Sequence, residues 1–94
     1  MGQIIWSPGA WHDVEAIAEY IAQDSIAQAS LFARKLIEAT DRLAEFPFSG
    51  KITPEIGEKD RREIRVGNYR IMYSIVGDGV LVTRVFHGAR DFKR

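Results

Sequence analysis

Residues 62–91 read REIRVGNYRIMYSIVGDGVLVTRVFHGARD, and this stretch decides the fold. Its first residues alternate between polar and apolar side chains, and the run after Asn68 is rich in β-branched and aromatic types. Gly67-Asn68 and Gly77-Asp78-Gly79 have the composition of tight turns. The stretch therefore predicts three consecutive strands, at residues 62–66, 69–76 and 80–87.

The alternation along these strands predicts one apolar face and one basic face. The apolar face of the middle strand consists of Tyr69, Ile71, Tyr73 and Ile75. In the last strand, strict alternation separates Val82, Arg84 and Phe86 from Thr83 and Val85. If the aliphatic residues face the helices, the arginines converge on the opposite face: Arg65, Arg70 and Arg84, followed by Arg90 at the end of the last strand. Basic residues interleaved with Met72 and Phe86 suit RNA or single strands, and they equally suit an acidic peptide.

The N-terminal half predicts a strand and a helical hairpin. Residues 3–7 form a short apolar run, and Ser7-Pro8 is typical of a helix start, with serine as N-cap and proline at the first helical position. Apolar residues then recur every three or four positions as far as Ile21. They do so again over residues 26–46, where Pro47 ends the second helix. The connection between the two helices is short enough to predict a hairpin.

Residues 48–61 lack any periodicity and predict a loop between the helices and the sheet. So long a loop is unusual in a small domain and is often functional, although a plain surface crossing is the alternative. Glu55, Glu58 and Asp60 form an acidic patch in it, which we interpret as solvated. For Arg62 and Glu63 we expect ion pairs at the sheet edge, of little energetic value if exposed.

The composition predicts a single domain, residues 1–94, with a modest core. Because the chain has no cysteine, disulfides and thiolate metal sites are excluded, and we expect a cytoplasmic protein. No apolar run approaches the ~18 residues of a membrane span, so we expect no membrane partner. Histidines and carboxylates do not cluster at metal-ligand spacing, and no nucleotide-binding motif is present. We therefore expect neither a metal nor a cofactor.

The net charge of zero hides a division between the two halves of the chain. Residues 1–60 hold five basic and ten acidic side chains, a net charge of −5, whereas residues 61–94 hold eight and three, a net charge of +5. Seven of those eight bases are arginines, which suit bidentate contact with phosphate or carboxylate. The asymmetry indicates a nucleic-acid or acidic-protein partner, or two halves that neutralise each other within the fold.

The candidates for acid–base chemistry are few. His12 lies on the first predicted helix beside Asp13, a setting typical of a solvated side chain. His87 ends the last strand, where it could serve as a general base while Arg90 stabilises a developing phosphate charge. The simpler interpretation is a half-buried imidazole bonded to the backbone or to Asp91.

The motifs together resemble a known family. They are the Ser-Pro helix start, the helical hairpin, a Phe-Pro-x-Ser-Gly loop at residues 46–50, Arg62-Glu63, Asn68-Tyr69-Arg70-Ile71-x-Tyr73 and Val85-Phe86-His87-Gly88-Ala89-Arg90-Asp91. In this order and spacing they resemble the RelE/ParE superfamily of toxins from bacterial type II toxin–antitoxin systems. The resemblance covers nearly the whole chain.

The resemblance implies an α+β fold, β-α-α-β-β-β, with a helical hairpin packed on a small, curved, mostly antiparallel sheet. It implies a cognate antitoxin, ParD-like or similar. The apolar surroundings of Trp6, Trp11 and Phe46 are the candidates for that contact, although core packing is the role we favour for each. It also implies one of two activities. RelE-like members cleave mRNA on the ribosome, with His87, Arg65, Arg70 and Arg90 as the candidate catalytic residues here. ParE-like members inhibit DNA gyrase, with Arg65, Arg70, Arg84, His87 and Arg90 as the candidate target-binding residues.

Two departures favour the ParE-like activity. The RelE-like pattern has a catalytic tyrosine beyond the Arg90 position, where this chain has Phe92 and no tyrosine. The lysine pair of that pattern is also absent around Arg65, whose neighbours include Glu63 and Val66. We therefore expect a gyrase-inhibiting toxin that arrests growth. The alternatives are a ribosome-dependent endoribonuclease and a degenerate toxin that only binds its antitoxin.

Overall fold

A computed structural model describes residues 2–88, and within them two helices pack on one five-stranded sheet. The helices are α1 (Pro8–Ala22) and α2 (Ile26–Ala39). The strands are β1 (Ile4–Trp6), β2 (Lys51–Ile52), β3 (Arg61–Val66), β4 (Tyr69–Val76) and β5 (Gly79–His87). The strand order is β1-β5-β4-β3-β2, with β1 parallel to β5 and the other neighbours antiparallel. The predicted α+β architecture is confirmed.

Serine caps begin both helices of the hairpin. Ser7 Oγ accepts a hydrogen bond from the Ala10 amide at 3.0 Å, and Pro8 is the first helical residue, as predicted. Ser25 Oγ accepts from the Gln28 amide at 3.1 Å and starts α2 three residues after α1 ends. Each cap satisfies an amide that the helix itself leaves unpaired.

The core lies between the hairpin and one face of the sheet, and it takes residues from both helices and from three strands. Its buried members are Ala10, Val14, Leu36, Leu43, Ile64, Val66, Ile71, Tyr73, Val80, Val82 and Val85. The apolar stripes predicted for the two helices and for the middle strand supply most of this cluster, which fixes the sheet's other face as the outer face.

The second helix is shorter than predicted. It ends at Ala39 rather than Phe46, and Thr40 follows as C-cap with its Oγ1 donating to the Ile37 carbonyl at 2.7 Å. Short 3₁₀ turns then occupy Asp41–Ala44 and Pro47–Ser49. A threonine hydroxyl that bonds to the backbone competes with the helical ladder. The helical spacing of apolar residues extends beyond Thr40 in the sequence, because Leu43 in the following 3₁₀ turn is also fully buried.

The loop predicted over residues 48–61 contains strand β2, so that prediction is wrong in part. Lys51 and Ile52 pair antiparallel with Glu63 and Arg62 of β3. A two-residue strand is too short to show periodicity in a sequence. Tyr73 fixes the approach to β2, since its hydroxyl donates to the Pro47 carbonyl at 2.7 Å and accepts from the Gly50 amide at 3.0 Å.

A β-bulge changes the two faces of β5. Met72 pairs with Arg84 and Tyr73 with Val82, so Thr83 is the extra residue. Strict alternation across Val82 and Val85 is therefore wrong, because the extra residue lets both of them face the helices, where they are buried. Arg84 and Phe86 follow the bulge on the outer face, opposite Met72 and Arg70.

Candidate functional site

Three side chains form a row across the outer face of the sheet. Arg65 lies opposite Arg70, and Arg70 lies opposite Phe86. The register thus brings Arg65 and Arg70 onto one face, as the alternation predicts. The two-residue turn between β3 and β4 sets this register, because it fixes which residues of the two strands face each other.

Arg70 is enclosed by two carboxylates, and we call Arg70, Glu55 and Glu63 the arginine cluster. Arg70 Nε donates to Glu63 Oε2 at 3.1 Å, and Nη2 donates to Glu63 Oε1. Nη1 and Nη2 donate to Glu55 Oε2 and Oε1, each at 2.8 Å. The Phe86 ring centroid lies 5.1 Å from Arg70 Cζ. Both edges of the guanidinium are therefore occupied by bidentate pairs.

The arginine cluster is electrically compensated. The Arg70 and Glu63 side chains are 6% and 1% exposed, and Lys51 Nζ lies 3.9 Å from Glu63 Oε2. Hydrogen bonds from Arg70 lower the pKa of the Glu55 carboxyl to about 2. The same bonds to Glu55, followed by those to Glu63, raise the pKa of Arg70. The Glu55 carboxyl is therefore ionised at neutral pH. Together with Lys51, the cluster sets two basic side chains against two acidic ones.

The open arginine surface that alternation predicts does not exist at Arg70. Arg84 Nε donates to Asp13 Oδ2 of α1 at 2.9 Å, although the Arg84 side chain is otherwise exposed. Arg65 is exposed, and within residues 2–88 it takes part in no salt bridge. Arg65 therefore offers an exposed guanidinium without a salt bridge on the described outer face, and the half-buried Arg61, which shares that face by strand parity, also takes part in no salt bridge there. Arg90 lies outside the described residues.

The acidic residues that complete the cluster were interpreted differently from the sequence. Glu55 was assigned to a solvated patch, and Arg62 and Glu63 to ion pairs at the sheet edge. Glu63 does form ion pairs, with Arg70 and Lys51. Glu63 is buried, however, while Arg62 donates to the carbonyl oxygens of Lys59 and Gly50 at 2.8 and 3.0 Å. The turn at residues 67–68 could have revealed Glu63, because the register it sets places Glu63 diagonally beside Arg70.

His87 lies on the opposite face of the sheet from Arg65 and Arg70. It pairs with Tyr69, and the two rings meet edge to face with centroids 5.4 Å apart. Tyr69 in turn packs on Phe32 of α2 at 5.3 Å, which identifies this as the side of the helices. The sheet therefore separates the one imidazole near the end of β5 from the arginine row.

A groove of about 780 Å³ opens between the hairpin and the end of β5, and we call it the helix groove. Its lining includes Ala16, Ile17 and Tyr20 of α1, Phe32 of α2, and Tyr69 and His87 of the sheet. β1 covers β5 only at Val80–Val82, and beyond it Asp13 Oδ2 accepts from the Val85 amide at 2.8 Å. One carboxylate thus holds both the groove wall and the free edge of β5.

Trp11 and Phe46 were the predicted antitoxin contacts, and both are accessible. The Trp11 residue is 41% exposed and stacks on Trp6 with ring centroids 4.9 Å apart, and Phe46 is 61% exposed. Tyr20, at the helix groove, is 71% exposed. Apolar side chains this exposed are available to a protein partner, although contact with the antitoxin stays a prediction.

The described residues bring together no group of three or more histidine, aspartate or glutamate side chains that could hold a metal ion. Neither helix of the described chain has the length and apolar character needed to cross a membrane.

Comparisons with known proteins agree with this fold. A family model described as "ParE toxin of type II toxin-antitoxin system, parDE" matches residues 4–92. The Toxin RelE2 of Caulobacter vibrioides is 34% identical over 90 residues, which cover 96% of this chain and 99% of that protein. The class of protein is therefore a toxin of the RelE/ParE superfamily, and the resemblance is confirmed. More particularly, the chain belongs to the ParE toxin family of type II toxin–antitoxin systems.

Two solved structures share the fold. The chromosomal ParDE system of P. aeruginosa matches with a TM-score of 0.77 at 17% identity, covering 93% of this chain and 96% of that one. The RelB-RelE antitoxin–toxin complex of Methanococcus jannaschii matches with a TM-score of 0.55 at 22% identity, covering 88% of each chain.

Proposed function

We propose that this toxin arrests growth by binding and inhibiting DNA gyrase, and that it does not cut RNA. The observation that supports this most is the separation of His87 from the arginine row by the sheet. An acid–base group must reach within hydrogen-bond distance of the proton it moves, while the phosphate that it acts on sits against the cations. His87 and Arg70 cannot both contact one phosphate from opposite faces.

The state of Arg70 supports the same proposal. Two bidentate carboxylates already occupy its guanidinium, and its side chain is 6% exposed. A phosphate would have to displace one of them before it could use this charge. Arg65 and the half-buried Arg61 are a weak basis for RNA affinity, which grows with the number of phosphates that are neutralised.

We propose further that a cognate antitoxin neutralises the toxin by seating an apolar segment in the helix groove. The groove is open, and its walls present Tyr20, Phe32 and Tyr69. The two solved structures that share the fold are described as antitoxin–toxin systems, which supports a partner of this kind. Trp11 and Phe46 extend the accessible apolar surface beyond the groove. With these two partners, we expect the toxin to act in the cytoplasm.

A ribosome-dependent endoribonuclease is the second candidate. The observation that favours it is the name of the 34% identical relative, Toxin RelE2. In that case Arg65, Arg70 and Arg90 would bind phosphate and His87 would move the proton.

The experiment that separates the two functions is induction of the toxin alone, followed by parallel measurement of plasmid supercoiling and of mRNA cleavage mapped on ribosomes. We expect loss of negative supercoiling with intact mRNA, and recovery of growth when a cognate antitoxin is co-expressed. Codon-phased cuts in mRNA with normal supercoiling would overturn the gyrase proposal. Normal growth of the induced cells would overturn both candidate functions.

A further inference from the structure

The two carboxylates of the arginine cluster are held in different ways. Glu63 belongs to β3, is 1% exposed, and is fixed by strands on both sides. Glu55 belongs to the loop of residues 53–60, which we call the Glu55 loop, and its side chain is 31% exposed. Exposed ion pairs contribute little stability, whereas buried ones are costly to break. Glu55 is therefore the carboxylate of the cluster that can be exchanged.

The Glu55 loop is anchored at its two ends and by local bonds. The Thr53 amide donates to the Arg61 carbonyl at 2.9 Å, and the Ile75 amide donates to the Asp60 carbonyl at 2.8 Å. The amides of Ile56 and Gly57 donate back to the Thr53 carbonyl, within the turn itself. Moving the tip of this turn breaks the Glu55–Arg70 bonds and leaves the anchoring bonds intact.

Withdrawal of Glu55 would leave a specific receptor. Arg70 would present Nη1 and Nη2 side by side, with its Nε edge still held by Glu63 and the Phe86 ring against its face. The remaining charges of Arg70, Glu63 and Lys51 sum to +1, because two cations would face one anion. Preorganised donors of this kind match the planar carboxylate that occupies them now.

We propose that Arg70 is a receptor for a carboxylate side chain of a partner protein, and that Glu55 is the internal occupant which the partner displaces. The partner contributes an acidic segment that copies the contacts of Glu55 while the Glu55 loop swings aside. Because one carboxylate replaces another, the exchange changes the electrostatic free energy of the cluster little. Glu55 therefore lowers the apparent affinity for the partner without abolishing binding. The inference rests on the proposed function only in taking a protein, rather than RNA, as the partner.

Fluorescence anisotropy with a labelled octaglutamate peptide tests this inference without gyrase or antitoxin. Glu55→Gln keeps the shape of the side chain and removes its charge, and we expect it to tighten peptide binding about tenfold over the parent. Glu58→Gln is the matched control, because Glu58 is an exposed acid of the same loop. Arg70→Lys in the Glu55→Gln background should remove the gain, since a lysine cannot form the bidentate pair.

Equal tightening by Glu55→Gln and Glu58→Gln would overturn the proposal, because the effect would then be general charge. Binding of an octathymidylate in preference to the peptide would also overturn it. If the variants fail to fold, amide hydrogen exchange of the parent protein tests the displacement of Glu55 instead. Saturating octaglutamate should accelerate exchange at residues 54–57, and unchanged exchange there would contradict displacement. The anisotropy and hydrogen-exchange measurements use no gyrase, so their results would stand even if the toxin does not act on gyrase.

Discussion

The outer face of the sheet and the helix groove use their charged residues in opposite ways. On the outer face, Glu55 and Glu63 enclose the Arg70 guanidinium, Lys51 lies beside Glu63, and the surface at Arg70 is closed. In the helix groove, Asp13 bonds to the Val85 amide and to Arg84 at the wall, and the apolar floor stays open. A cluster of arginines in a sequence therefore does not by itself define a binding surface, because the acids that reach them decide whether their charge is available.

The largest expected effect on stability tests the arginine cluster on the outer face of the sheet. Arg70→Ala leaves the buried Glu63 carboxylate without its main partner, and we expect a loss of about 3–5 kcal/mol in the free energy of unfolding. Arg65→Ala removes an exposed arginine of the same row and should change it by less than about 0.5 kcal/mol. Urea denaturation of each variant, purified without a bound antitoxin, measures both changes in the free energy of unfolding. Equal effects would mean that the outer face is not held by the arginine cluster.

The next effect tests the groove wall. Asp13→Ala removes the acceptor of the Val85 amide and the partner of Arg84, and we expect a loss of about 1–2 kcal/mol in unfolding free energy. Asp13→Asn keeps an acceptor oxygen and should recover at least half of that loss. If the asparagine variant is as unstable as the alanine variant, the charge on Asp13 rather than its bond to the β5 edge holds the wall.

A smaller effect concerns acid stability. The folded pKa of Glu55 is about 2, below its ordinary value of 4.5, so its contribution is fully present above pH 4.5 and is lost as the pH falls toward 2. Glu55→Gln should therefore flatten the fall in urea midpoint over this range, whereas Glu58→Gln should leave the parent's slope unchanged. Parallel slopes for parent and Glu55→Gln would contradict the ion pair with Arg70.

The smallest expected effect is a gain in the free energy of unfolding. Thr53 is fully buried at the start of the Glu55 loop, and its Oγ1 has no hydrogen-bond partner within residues 2–88. Thr53→Val replaces the hydroxyl with a methyl group of similar shape, and we expect the free energy of unfolding to rise by about 1 kcal/mol. Calorimetry should show a higher Tm than for the parent. A lower Tm would indicate that the hydroxyl is satisfied in solution.

The sequence predicted the fold well where local patterns carry the information. Ser7 and Pro8 marked the start of α1, and the run Tyr69–Val76 matched β4 to the residue. Three features escaped because their sequence signals are weak or because they depend on contacts distant in the chain. The end of α2 at Ala39 is marked only by Thr40, which is a weaker signal than Pro47. β2 has two residues, and the bulge at Thr83 interrupts an otherwise regular alternation.

The candidate site was less predictable than the fold. Alternation placed Arg65 and Arg70 on one face, whereas the register that puts Glu63 beside Arg70 was not used, although the two-residue turn sets it. Glu55 lies fifteen residues before Arg70 in a loop without periodicity, so nothing local indicated that it reaches the guanidinium. The separation of His87 from Arg70 follows from strand parity, but Thr83 had to be recognised as a bulge before the faces of β5 could be assigned.

The central claim, that this toxin acts on gyrase and not on RNA, is tested most directly with purified components. The toxin, freed from its antitoxin, is added to gyrase with relaxed plasmid, and in parallel to ribosomes stalled on mRNA. We predict that the plasmid stays relaxed in proportion to the toxin and that the mRNA stays intact. Full supercoiling together with cuts in the ribosome-bound mRNA would contradict the claim.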